Sequence, residues 1–308
     1  MTGLGFVVRP ENPPERLAAI ARRVEAGGFD ELWLWEDCFW AGGIAAATTA
    51  LAATSRIRVG LGIMPAAVRN PAFAAMEIAA LARMYPGRIL PGIGHGVTAW
   101  MRQIGAKPES QLTLLEETLA AMRALLAGEE VRVDGRYVRL DGVRLDHPPA
   151  DVPPISAGVQ RARSLAVSGR AADGTILSEP TSVAYIDWAR EQIAATRPHR
   201  LTVYTMYSMD QDGAAARAAV RGFLAERLRL AGPHAEALGI VDEVKAMTDL
   251  EREMPDEWVD RATVAGTPDE CAAAIGALGD AGADTVVLVP HAPDVDPEPL
   301  GRTLLAAR

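Results

Sequence analysis

Short apolar, β-branched runs alternate with longer Ala/Leu-rich stretches along this chain, the rhythm that parallel strands and their crossover helices impose. The first predicted strand is Leu4 to Val8, and a Pro-Pro-Glu start at Pro13 opens a helix to about Ala26, ended by Gly27-Gly28. A strand from Glu31 to Trp35, an alanine-rich helix to about Ala53 and a strand from Ile57 to Ile63 follow. Past the loop Met64 to Pro71 comes a helix to about Met84, then a fourth strand, Arg88 to Ile93. The rhythm then breaks between Gly94 and Pro153, where a helix (Leu112 to Ala127) and a hairpin (Val131 to Val133, Tyr137 to Leu140, turning at Asp134-Gly135) are expected.

It resumes with a fifth strand at Pro154 to Ala157 and a helix from Gln160 to Ser168, then a sixth strand at Gly174 to Leu177 and a helix from Ser182 to Thr196. The seventh strand is Leu201 to Tyr207, before a helical region from Gln211 to about Met247. Thr267-Pro268-Asp269-Glu270 starts the last helix, and Asp284 to Val289 is the last strand. Eight strand–helix periods close a barrel and remove exposed edges, so the expected fold is an α/β class, single (β/α)8 TIM barrel over residues 1–308, with insertions after strands 4 and 7. An open doubly wound sheet is the competing architecture.

Composition narrows the partners. Hydrophobic residues make up 49% and charged residues 23%, which suits a globular chain with a sizeable core. The net charge of −9 argues against nucleic acid, whose phosphates need a basic footprint. No run of about 18 apolar residues predicts a membrane span, and the N-terminus carries no signal-peptide pattern. The two cysteines, Cys38 and Cys271, form no metal-binding pattern and suit the reducing cytoplasm as free thiols.

In such barrels the chemistry sits at the carboxyl ends of the strands. After strand four, Gly92-Ile93-Gly94-His95-Gly96 permits close backbone approach and an anion nest, with His95 at the mouth; a plain tight turn would read the same way. After strand two, Glu36-Asp37-Cys38 offers one functional acid, Asp37, with the other carboxylate capping a turn or meeting solvent. Cys38 reads as a small packed hydrophobe. After strand five, Gly158, Val159, Gln160 and Arg161 enter a helix whose free N–H groups suit a phosphate, with Arg161, Arg163 or Ser164 as added contacts. After strand six, Glu179 is a third acid at the mouth, or a helix-start acid facing the dipole. Trp35, Trp40 and Trp100 flank these loops; His147, His199, His234 and His291 read as structural or surface residues.

Three runs, Leu34-Trp35-Glu36-Asp37-Cys38-Phe39, Gly60-Leu61-Gly62-Ile63 with Arg69-Asn70-Pro71, and Pro86-Gly87-Arg88 through Gly96 with Trp100-Met101, resemble the luciferase-like flavin superfamily. Within it they are similar to the deazaflavin-dependent branch, near the methylenetetrahydromethanopterin reductases. Ala172-Asp173-Gly174, Ala265-Gly266-Thr267-Pro268 and Ala281-Gly282-Ala283-Asp284 extend the match over nearly the whole chain. The resemblance implies coenzyme F420, or alternatively FMN, at the barrel mouth, and a non-prolyl cis peptide at Gly62-Ile63 backing the ring. It assigns the phosphate to Gly94, His95 and Gly96 with Gly158 to Arg161, and the acid to Asp37.

Two departures stand out. Cys38 replaces a histidine common after that aspartate, and Val97 replaces the glutamate of the sugar-phosphate dehydrogenases, which argues against glucose-6-phosphate oxidation by their mechanism. Three functions follow: hydride transfer between F420 and a small organic substrate, with Asp37, His95 and Glu179 nearest the reacting centre; an FMN-dependent monooxygenase fed by a partner reductase; or a non-catalytic ring-binding barrel. The family's habit implies a homodimer.

Overall fold

A computed structural model describes residues 2–230 and 232–307. In its first half β1 (Gly3–Val8), α1 (Leu17–Ala26), β2 (Glu31–Leu34), α2 (Gly43–Ala53), β3 (Arg58–Pro65), α3 (Pro71–Met84) and β4 (Ile89–Gly94) alternate without interruption. The first insertion follows: α4 (Thr98–Gln103), α5 (Gln111–Leu126) and an antiparallel hairpin of β5 (Val131–Asp134) and β6 (Arg139–Val143). Alternation resumes with β7 (Ser156–Gly158), α6 (Ala162–Ala171), β8 (Gly174–Leu177), α7 (Val183–Ile193) and β9 (Arg200–Met209). The second insertion holds α8 (Gly213–Leu230), α9 (Gly232–Leu238), α10 (Val241–Ala246), α11 (Leu250–Glu253), α12 (Asp256–Ala262) and β10 (Thr263–Gly266). The chain ends on α13 (Pro268–Asp280), β11 (Thr285–Pro290) and α14 (Pro297–Ala307).

Parallel neighbours run β11-β1-β2-β3-β4-β7-β8, and β9 joins β8 to β11, so the ring closes as an eight-stranded barrel. The expected barrel and both insertions are borne out. β10 lies outside the ring. It pairs with Met206–Met209 of β9, on the same edge that β8 occupies lower down at Arg200–Val203. The sequence reading missed β10 because its four residues follow α12 without a turn signal, and it missed α14 altogether. The fifth strand begins at Ser156, two residues later than expected, and the single helical region after strand seven is several shorter helices.

The ring strands are buried on both faces, which explains their unbroken apolar runs. Helix starts follow local chemistry. Asn70 Oδ1 accepts from Ala72 N at 2.9 Å ahead of Pro71, and Thr267 and Glu270 form a reciprocal capping box. Inside the barrel Trp33 fills the lower half. It meets Tyr204 edge-on at 5.7 Å and lies so close to Gly60 that a Cβ there would stand 2.2 Å from the indole. Beneath it Glu31, with no exposed surface, accepts from Trp33 Nε1 at 2.9 Å and pairs with Arg58 and Arg200. This end of the barrel is plugged.

Candidate active site

The opposite rim is built differently. Ile63 bulges where β3 slips register against β4 between Leu61 and Met64, and the Gly62-Ile63 peptide is cis, as the resemblance implied. A Cβ on Gly158 would stand 2.3 Å from Ile63 Cγ2, and one on Gly94 would stand 2.8 Å from the Gly158 carbonyl and 2.9 Å from Ile63 Cγ1. Only glycine lets the bulge close against the ends of β4 and β7. Gly96 takes a φ of 70°, which turns the chain toward α4.

Beside this rim, α6 begins at Ala162 after Arg161, with no side-chain cap; Ser164 N turns back to the Arg161 carbonyl at 2.9 Å, and the N–H groups of Ala162 and Arg163 have no acceptor among the described residues. His95 reaches across to this helix, its Nε2 3.0 Å from Ser164 Oγ, while its Nδ1 has no aligned partner among the described residues. Desolvation pushes the His95 pKa below the usual histidine value, so at neutral pH the ring is an uncharged hydrogen-bonding group. Gly62, Ile63, Gly94, His95, Gly96, Gly158, Val159, Gln160 and Arg161 thus lie on neighbouring strand ends and their loops. This set fits a planar ring with an anionic tail: a glycine-smoothed rim for the ring, and open backbone donors with the exposed Arg161 and Arg163 for the anion.

Across the mouth the two carboxylates after β2 divide their work. Glu36 is consumed by structure, pairing with Arg69 at 2.5 Å and accepting from Gly43 N at 2.9 Å at the start of α2. The Asp37 carboxylate makes no direct hydrogen bond or ion pair among the described residues, while its backbone carbonyl accepts from Trp40 N at 2.9 Å. Desolvation raises its pKa to about 6, opposed by Arg227 and aided by Glu11. Glu179 is buried in the loop after β8, its Oε1 3.2 Å from Arg227 Nε, and its pKa is also raised by desolvation, with Asp37 adding to the rise. Arg227 therefore serves both the half-buried Asp37 and the buried Glu179, with Arg9 also opposing the rise in Glu179. Cys38 is no ready nucleophile, since desolvation and the charges of Asp37 and Glu36 push its thiol pKa up.

The structure brings Asp37 and Glu179 into one cluster and assigns His95 to the α6 side. Sequence reasoning missed the groups that join them. Arg227 and Phe223 come from α8 of the second insertion, and Arg9 follows β1. Arg9 and Arg227 hold their guanidinium groups 5.2 and 5.1 Å from the Phe223 ring. Arg9 is further fixed by Glu11 at 2.6 Å and by the carbonyls of Pro290 and His291. Below them the Tyr204 hydroxyl and Trp35 Nε1 are buried without aligned partners among the described residues. No motif marks Arg227 or Phe223, because their place depends on how the insertion folds back over the mouth.

A parallel barrel with its ionisable groups gathered at the carboxyl rim defines a TIM-barrel enzyme. The chain belongs to the luciferase-like monooxygenase family, whose model matches residues 3–285. It is 31% identical to a 5,10-methylenetetrahydromethanopterin reductase of Methanolobus tindarius, over 92% of each chain. It is 32% identical to an F420-dependent glucose-6-phosphate dehydrogenase of Tsukamurella paurometabola, over 95% of this chain and 93% of the other. The solved coenzyme F420 dependent tetrahydromethanopterin reductase of Methanopyrus kandleri superposes with a TM-score of 0.81 over 99% of both chains, at 22% identity, which bears out the fold.

Proposed function

We propose that this protein is an F420-dependent oxidoreductase that moves a hydride between the coenzyme and a small organic substrate. Relatives at 31% and 32% identity over nearly the full chain support the class of enzyme, and the second is F420-dependent by name. The observation that carries the reading is the rim, where Gly94 and Gly158 close against the Ile63 bulge beside the uncapped start of α6, with Asp37 in the loop after β2 held above the usual carboxylate range by desolvation. When bound, the deazaflavin supplies or accepts the hydride.

The chain's own residues do the rest. Gly94, Gly96 and Gly158 with the start of α6 hold the tail, and the Ile63 bulge backs the ring. His95 braces the rim through Ser164. Asp37 gives or takes the proton that accompanies the hydride at the substrate heteroatom, its affinity for that proton lying near neutral pH. Arg227 keeps Glu179 paired and moderates the rise in Asp37. Val97, where a sugar-phosphate dehydrogenase would place a glutamate, points to a substrate other than glucose 6-phosphate.

Titration of the purified protein with F420 and with FMN tests the coenzyme. Tighter binding of F420 with reversible reduction of its ring is the expected result, and preference for FMN overturns it. The family's monooxygenase description favours one second reading, in which reduced FMN from a partner reductase meets oxygen. Oxygen consumption with free reduced FMN would establish that reading, since deazaflavins react poorly with oxygen.

A homodimer belongs to the same proposal, supported by the exposed Phe73, Met76 and Met84 on α3. Light scattering that returns a 32.7 kDa particle would exclude it. Among the described residues no helix is long and apolar enough to cross a membrane. With two free cysteines, the reading places the enzyme in the cytoplasm.

A further inference from the structure

Tyr185, fully buried on α7, donates its hydroxyl to the Gln160 carbonyl at 2.6 Å, in the loop that joins β7 to α6. Gln160 is held a second time, its side-chain Nε2 donating to Ser178 Oγ at 2.6 Å in the loop after β8. The Tyr185 ring has little freedom to leave this position. It stacks on Trp188 at 5.5 Å and packs against the fully buried His234 of α9 at 3.9 Å. His234 stays neutral there, its pKa pushed down to about 3 by desolvation.

A trans peptide is planar, with its C=O and N–H pointing in opposite directions. Tyr185 draws the Gln160 carbonyl toward α7, so the Arg161 N–H is aimed away from α7. That N–H has no acceptor among the described residues. It precedes the N–H groups of Ala162 and Arg163, which the missing side-chain cap leaves without an acceptor among the described residues.

We infer that the Tyr185 hydroxyl is a positioning group for phosphate recognition, holding the Gln160–Arg161 peptide so that its N–H faces the coenzyme tail. The inference rests on the proposed function only in taking that tail to lie on this loop. It applies equally to F420 and to FMN, since both carry a phosphate on the ribityl chain. The hydroxyl touches neither ring nor substrate, so it governs how tightly the phosphorylated coenzyme is held.

The test compares coenzymes with and without the phosphate. Wild type, Tyr185→Phe and Ser178→Ala are titrated by fluorescence with F420 and with its riboside fragment lacking the phosphate, and with FMN and riboflavin. Tyr185→Phe should weaken the phosphorylated form of the preferred ring about tenfold, the scale of one well-placed hydrogen bond, and leave the unphosphorylated form within about twofold. At saturating coenzyme kcat should be unchanged, and thermal melting confirms that the variant is folded. Ser178→Ala should show the same selectivity at about threefold and carries the test if Tyr185→Phe does not fold.

Equal weakening of both forms, or none, overturns the inference and leaves the functional reading standing. A wild type that prefers FMN overturns the F420 reading, while the FMN and riboflavin ratio still decides the role of Tyr185. A wild type that binds none of the four overturns both.

Discussion

The two ends of the barrel each bury a carboxylate, and they treat it in opposite ways. At the plugged end Glu31 receives the Trp33 indole N–H and the guanidinium groups of Arg58 and Arg200, so its lost hydration is replaced by fixed donors. At the open rim Asp37 and Glu179 both depend on the charge of Arg227, with Arg9 helping only Glu179, and the Arg227–Glu179 contact is an ion pair without hydrogen-bond alignment. The difference separates an acid that holds structure from one that can trade a proton. The compensated charge locks the sheet, and the undercompensated one stays poised.

The sharpest way to break this comparison is Asp37→Asn, which keeps the shape and removes the exchangeable proton. Turnover should fall by about 10²–10⁴-fold, the usual contribution of a positioned acid or base. Steady-state F420 reduction or oxidation at saturating coenzyme measures it, and near-normal turnover would dismiss Asp37 as the proton group. At the other end, Glu31→Gln leaves Arg58 and Arg200 facing each other without a counter-charge. The expected cost is about 3 kcal/mol of stability in urea unfolding, with kcat of the folded fraction preserved. A loss of kcat without a loss of stability would invert the roles of the two ends.

A third test sets stability against pH. Asp37 binds its proton more tightly in the folded protein (pKa about 6) than an ordinary aspartate at 3.8, so between those values the native state holds more protons than the unfolded chain. The contribution of Asp37 to stability is fully present below this window and is lost as pH rises through it, by at most about 3 kcal/mol. Asp37→Asn should flatten that decline and melt higher than wild type at pH 8. Equal slopes in the two proteins would show that Asp37 is not held protonated by its surroundings.

The smallest effect concerns Arg227→Met, which keeps packing against Phe223 but removes the charge that opposes the rise in Asp37. The acid limb of the kcat/KM profile should move to higher pH, and an unmoved limb would uncouple α8 from the proton site.

The ring was legible in the chain because parallel strands buried on both faces leave unmistakable runs such as Thr285–Pro290, and because Asn70-Pro71 and Thr267-Pro268-Asp269-Glu270 start helices by their own side chains. The glycines at 94, 96 and 158 were legible for a similar reason, since they answer a backbone demand that no other residue meets. Arg227, Phe223 and Tyr185 were hidden. Arg227 reads as one more arginine on a helix, and Tyr185 as core, until tertiary packing brings one to the mouth and the other beneath the β7–α6 loop.

The paired ends of the second insertion have a consequence for how such an enzyme could change its diet. Asp210 N donates to the Gly266 carbonyl at 3.1 Å, so the segment carrying Phe223 and Arg227 leaves and rejoins the ring at adjacent rungs on β9. Its two ends meet at one place on β9, while its body reaches Arg9, Glu179 and Tyr185 through Phe223, Arg227 and His234. Its length and outer contents can be traded so long as those contacts stay, so new substrates can be sampled over a coenzyme cradle built from β3, β4 and β7.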